Sequence, residues 1–320
     1  MPRWLATAIR LAGTAAGLAW IATRVEPGDA GRALGRIPPA TFALATALVA
    51  ANVAVAALRW RVLLRAYGAA RVPGLARLAY LYFVAFFYNN YLPGAVAGDV
   101  GRGVVTRDAF DGEGAAGALA VVLVERALGL FGLFALLGLG LATAGRALDT
   151  GALAAWTAAG CAGSCALVAA IPLARRLAPH LPGPLGRVAA KLPALRDARA
   201  FALALALSVA TQALVVLAGW ILLAALADTS LPASLLIVPL AAATTFLPIT
   251  VGGAGAREAV YVALCGGLFG MPEADALAAS LGLWFAHLAV GAAGGALQLA
   301  RGRPTAARRS SPRPSSSRPR

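Results

Sequence analysis

Apolar residues run through this chain in long blocks separated by short polar connections. Six blocks, at about 5–23, 40–58, 117–142, 152–173, 200–226 and 276–299, show no strand-like alternation. Each is long enough to cross a bilayer core of roughly 30 Å as a helix of about 20 residues. Two further apolar stretches, near 78–110 and 233–270, are interrupted by Pro and Gly. Their entering arms, 78–92 and 233–247, reach only about 22 Å at 1.5 Å per residue. Re-entrant hairpins are the natural reading of both, with tilted full-length helix pairs as the alternative. The pattern predicts an all-α polytopic membrane protein with about six full spans and two Pro/Gly-broken hairpins. The first block follows Arg3 as in a signal peptide, but with membrane sequence throughout the rest of the chain it reads as a retained span.

Composition agrees: the 320 residues are 60% hydrophobic and 13% charged, about half the charge of an average soluble domain. The net charge of +15 raises nucleic acid as a partner, and its placement argues against it. Residues 1–4, 59–77, 174–199 and 301–320 hold 19 Lys and Arg, whereas 24–39, 143–151 and 227–232 hold 4. By the positive-inside rule both termini and the two large basic loops face the cytoplasm, which makes the cell membrane the expected location. The Arg/Ser/Pro tail over 300–320 cannot bury a core and reads as disordered. Cys161, Cys165 and Cys265 lie in apolar runs and read as buried small residues. With His180 and His287 the only histidines, no metal cluster or cofactor site is expected.

The two broken stretches share a motif. "NNYLPGAVAGDVGRG" starts at Asn89 and "TTFLPITVGGAGARE" at Thr244; they match without gaps at Leu92/Leu247, Pro93/Pro248, Val96/Val251, Gly98/Gly253 and Arg102/Arg257, always 155 residues apart. The same offset carries span 117–142 onto 272–297. The expected organisation is a first span and outer loop (1–39), a first repeat (40–144), a linking span and basic loop (145–199), a second repeat (200–299) and the tail. With the charge-derived orientation the repeats are inverted, as in many secondary transporters, whose sites lie at the midplane among discontinuous helices.

"NNYLPGAVAGDVGR" (89–102) followed by "ERALGL" (125–130) resembles the first signature of the lysylphosphatidylglycerol-synthase transmembrane region, a family also described as flippase-like. "LPITVGGAGAREA" (247–259) resembles its second. The resemblance covers roughly residues 40–299 and implies handling of a phospholipid or lipid-linked headgroup. Family members often carry two glycines before the Asp, where this chain has Ala97-Gly98-Asp99. Nothing after Leu299 reads as an aminoacyl-transferase domain, so lysyl transfer is not implied.

Ionisable residues inside a membrane are costly and mark paired structure or a pathway. Within the repeat cores these are Asp99, Arg102, Glu125, Arg126, Arg257 and Glu258, which sum to zero. They are expected to converge between the repeats. Glu125 and Arg126, like Arg257 and Glu258, are neighbours pointing about 100° apart on a helix and need partners elsewhere. One reading is a set of ion pairs pinning the halves together. The other is a headgroup site in which Arg102 and Arg257 bind phosphate at half-helices begun by the breaks at Pro93 and Pro248. Gly98, Gly252, Gly253 and Gly255 would then let the headgroup approach the backbone. Asn89 and Asn90 would line the cavity or hydrogen-bond backbone freed at the break. His287 reads as a structural hydrogen-bonding group and Gly291/Gly295 as a close-packing pair.

Membrane phospholipids are the expected partners, with a separate lipid-modifying enzyme as a further one. A flippase, a membrane-embedded transferase on a lipid-linked substrate, and a non-transporting subunit of a synthase all remain open. The absence of any metal or nucleotide motif argues against an enzyme.

Overall fold

A computed structural model describes residues 3–92, 96–144, 151–246, 250–251 and 253–302. Among them are twelve α-helices and no strand: α1 (Arg3–Ala22), α2 (Pro27–Gly35), α3 (Pro39–Ala66), α4 (Leu75–Tyr91), α5 (Ala97–Val105), α6 (Gly114–Ala144), α7 (Gly151–Leu177), α8 (Gly183–Ala190), α9 (Ala198–Ala224), α10 (Leu231–Ala243), α11 (Ala256–Phe269) and α12 (Glu273–Gly302). Pro93, Pro248 and Gly252 lie outside the described residues, as does the tail from Arg303 onward.

The protein is an integral membrane protein. Five helices, α3, α6, α7, α9 and α12, are long and apolar enough to cross. The arms α4 and α10, of 17 and 13 residues, reach about 26 and 20 Å, and both fall short of a perpendicular crossing. Helix starts follow local chemistry. Pro39 occupies the first turn of α3, where its missing N–H costs nothing. The Asp197 carboxylate accepts from the N–H groups of Arg199 and Ala200 to cap α9.

Adding 155 to the bounds of α1–α6 gives 158–177, 182–190, 194–221, 230–246, 252–260 and 269–299, which overlap α7–α12 in order. The repeated order thus includes the first two helices of each half. Packing follows the same exchange. α3 lies against α9; α4 packs on α12 as α10 packs on α6; α3 packs on α12 as α9 packs on α6. This exchange of partners holds for α3, α4 and α6 against α9, α10 and α12. It fails at the periphery, where α1 packs on α11 while its counterpart α7 packs on α6.

The core sits between the halves, with Ala45, Val49 and Val53 of α3 meeting Val216 and Leu222 of α9 and Ala279, Leu283 and Ala286 of α12. In lipid, association depends on close packing rather than on a hydrophobic driving force, and small residues supply it. Gly291 and Gly295 face the Tyr91 and Phe87 rings, and Gly294 sits tightest, where a Cβ would lie 2.1 Å from the Phe83 carbonyl oxygen. At the start of α12, Glu273 pairs with Arg24 at 2.9 Å and Asp275 with Arg36, tying the α1–α2–α3 connections to the second half.

Candidate functional site

The first break turns the chain from α4 into the nine-residue α5, which packs so closely on α4 that a Cβ on Gly98 would lie 2.0 Å from the Ala85 carbonyl oxygen. The Asn89 side-chain oxygen accepts from Gly98 N–H at 2.9 Å, satisfying one of the donors a helix start leaves unpaired. Asn90 donates to the Phe86 carbonyl at 2.8 Å. Both asparagines therefore hydrogen-bond backbone around the break.

Asp99, in the first turn of α5, sits between two arginines. Its Oδ1 accepts from Arg102 Nε at 2.9 Å, and its Oδ2 takes Nε and Nη2 of Arg126 at 2.7 and 2.6 Å. Arg102 Nη1 in turn lies 2.6 Å from Glu125 Oε2. Glu125 Oε1 accepts from Arg59 Nη2 and from the Tyr82 hydroxyl, both at 2.9 Å. Arg59 Nη1 then crosses to the second half and donates to Ser208 Oγ and Thr211 Oγ1, both at 3.2 Å. Those hydroxyls are free to accept because they donate to the carbonyls of Ala204 and Ser208. The result is one chain, Arg59–Glu125–Arg102–Asp99–Arg126, of three cations and two anions.

Burial is uneven along this chain. The Arg102 and Glu125 side chains are 2% and 1% exposed, Asp99 11%, and Arg126 31%. Arg102 is further enclosed by rings, its Cζ lying 4.4 Å from the Tyr82 centroid and 4.7 Å from that of Trp60, within cation–π range. Removing one member of so enclosed a pair leaves a buried charge with one ionic partner fewer, at a cost of about 3–5 kcal/mol.

The second break is built differently. Gly253 and Gly255 both adopt φ of +82°, a conformation that costs glycine little, and α11 begins only at Ala256. Arg257 is thus the second residue of its helix, whereas Arg102 is the sixth of α5. Glu258 folds back so that its Oε2 accepts from Gly255 N–H at 2.8 Å, and its Oε1 pairs with Arg257. The expectation that these neighbours need outside partners is corrected: at a helix start, Glu258 turned toward the N-terminus comes within reach of the long Arg257 arm. Arg257 also lies 5.9 Å from the Trp284 ring. Helix α1 closes over this break, with Thr14 Oγ1 accepting from Val251 N–H at 2.9 Å and Gly17 touching Gly255. His287 Nδ1 bonds the Leu283 carbonyl at 2.8 Å, its ring stacked on Phe86.

Of the six charges singled out in the sequence, Asp99, Arg102, Glu125 and Arg126 form one network, while Arg257 and Glu258 pair with each other. The space beside Gly98, Gly253 and Gly255 is occupied by Ala85, Thr245 and Thr14 with Gly17 respectively, so each is a point of close approach within the protein. Arg59 and Tyr82 were not singled out. Arg59 directly follows the apolar run to Leu58 and reads as part of a loop, whereas α3 continues to Ala66. Among the described residues no three metal-ligating side chains cluster.

A family model for the lysylphosphatidylglycerol synthase transmembrane region matches residues 6–295. The chain belongs to this family. No curated protein matches the chain. The match begins within α1 and ends within α12, so both breaks of this synthase-type membrane region lie inside it.

Proposed function

We propose that the protein binds a phospholipid or lipid-linked headgroup and moves it between leaflets, through a polar cavity between two inverted repeats, with both termini cytoplasmic. The observation carrying this reading is the five-member ion network at the first break, buried at membrane depth and part-exposed at Arg126, in a member of a lipid-handling family. Charge inside a membrane segment marks a pathway or a pinned interface, and the part-exposed arginine favours a pathway. The exchange of packing partners between halves supports the repeat, and the 19-to-4 distribution of Lys and Arg supports its inversion. Bilayer phospholipids are the partners, and the cell membrane is the location.

One observation favours a non-transporting subunit working beside a lipid-modifying enzyme: Arg59 ties α3 to α9 through Ser208 and Thr211, as a pinned interface requires. Reconstitution separates the two. Purified chain in liposomes carrying headgroup-labelled phospholipids should expose inner-leaflet label to an outside quencher. Label that stays protected for every phospholipid class tried favours the subunit.

A further inference from the structure

We propose that the cavity between α7 and α9 binds an anionic phospholipid, which lays one acyl chain in it and sets its phosphate among the arginines at its end. α7 and α9 each pack on α6, and the gap left between them is a cavity of about 290 Å³. Phe131 of α6, Ser164, Ala169 and Pro172 of α7 and Phe201 of α9 line it. Tyr67, just past α3, and Leu195, just before α9, border it where those helices end. The Ser164 hydroxyl donates to the Gly160 carbonyl at 2.7 Å, which leaves that wall apolar. From Ser164 to Pro172 the wall runs about 12 Å at 1.5 Å per residue. That is most of the roughly 15 Å that one leaflet contributes to the hydrocarbon core. A lipid tail fills such a gap, because packed structures tolerate few voids and water finds no partners in an apolar one.

Two independent observations add a headgroup to the tail. Tyr67 is 3% exposed with its ring edge-on to Phe201, and its hydroxyl has no hydrogen-bond partner among the described residues. A buried phenol ordinarily finds one, and a phosphate or glycerol-ester oxygen of a lipid in the cavity supplies it. The second observation is charge. Residues 174–199 hold six Lys and Arg against one acid, Asp197, whose carboxylate caps α9. Arg175 and Arg176 follow Pro172 by three and four residues, on the same side of α7. Arg196 follows Leu195 and lies against Gly68, beside Tyr67, and Arg199 precedes Phe201 in the first turn of α9. Arg175 also donates to the Leu192 carbonyl at 2.7 Å, tying the end of α7 to the chain that enters α9. Among the described residues none of these four arginines pairs with a carboxylate. Basic pockets between membrane helices at their cytoplasmic ends take anionic headgroups, and on the orientation proposed above this is the inner leaflet. No member of the ion network at the first break takes part, so the site stands whether or not the protein moves lipid.

The test is thermal melting of the full chain in mild detergent, titrated with phosphatidylglycerol and with phosphatidylcholine of the same tails. Wild type should hold phosphatidylglycerol about tenfold or more tightly, a preference that fades as salt is raised. Arg176→Gln and Arg199→Gln should each weaken phosphatidylglycerol about fivefold and leave phosphatidylcholine unchanged. Tyr67→Phe should weaken both lipids about fivefold, the loss of one hydrogen bond, and melt as wild type does without lipid. Ala169→Trp, which fills the cavity, should abolish both responses. Cys165 lines the same cavity and reports on it without any change to the binding residues. In a Cys161→Ala chain, with Cys265 buried, phosphatidylglycerol should slow maleimide labelling of Cys165. Labelling that is unchanged at saturating lipid overturns the assignment, as does a lipid response that survives Ala169→Trp in full. A wild-type dimer that Ala169→Trp splits makes a second copy the occupant and overturns it too.

Discussion

The two breaks carry one motif and do different things with it. In the first, Arg102 sits six residues into its helix, between two carboxylates and two rings. In the second, Arg257 sits two residues in, 16% exposed and paired with its neighbour. Carried over by 155 residues, the network around Arg102 falls on residues without charge: Asp99 on Ala254, Glu125 on Ser280, Arg59 on Leu214 and Tyr82 on Ile237. Ser280 is fully buried, and its hydroxyl has no hydrogen-bond partner among the described residues. The arginine is therefore the common element, and the counter-charges decide what each break does. The first break concentrates ionic chemistry; the second accepts a helix, α1, whose counterpart α7 is placed elsewhere.

This contrast is easiest to break at the two arginines. Arg102→Ala should cost about 3–5 kcal/mol, because it removes the buried cation shared by Asp99 and Glu125 and empties the slot between Trp60 and Tyr82, and that is a large share of a typical folding stability. Arg257→Ala should cost about 2 kcal/mol, since it removes the ion pair of a buried Glu258 that keeps its bond from Gly255 N–H. Expression level and melting in detergent check both, and equal losses would erase the difference between the breaks.

A smaller effect is expected from the glycines that set each break. Gly98→Ala forces a methyl group into the Ala85 backbone and should cost about 3 kcal/mol, the upper end for overpacking. Gly253→Ala meets a Thr245 methyl at 2.7 Å and a φ of +82°, and should cost about 2 kcal/mol, since side-chain and backbone strain both contribute. Melting of the two variants gives the order directly.

The smallest effect concerns the helix that covers the second break. Thr14→Ala removes the acceptor for Val251 N–H, and one such bond contributes about 1 kcal/mol. Faster hydrogen exchange at Val251, with the first break unchanged, is the expected result; faster exchange at both breaks would mean that they are coupled.

Much of this was legible in the sequence. Span-length apolar blocks point to membrane helices, and intramembrane charge must pair, so the helical class and the pairing of the six charges follow from elementary electrostatics; their convergence on one region does not, since Arg257 and Glu258 pair with each other. Where α3 stops did not follow. An Arg-Trp-Arg run after Leu58 reads equally as a loop or as one more helical turn, and only the fold turns Arg59 inward to Glu125 and across to α9. The helix phase at the breaks was also hidden. Gly253 and Gly255 at positive φ delay the start of α11, which places Arg257 and Glu258 in a first turn where neighbouring side chains can meet. Glycines read as openings for a ligand also stand at close contacts within the protein, because a missing Cβ admits either equally well.

The most direct test of a lipid pathway centred on the first break is the rate of phospholipid movement in liposomes holding equal amounts of wild type, Arg126→Ala and Arg257→Ala. The account predicts movement by wild type, near-complete loss in Arg126→Ala at normal folded yield, and a smaller decrease in Arg257→Ala. Movement that survives in Arg126→Ala but stops in Arg257→Ala would contradict it and shift the pathway to the second break.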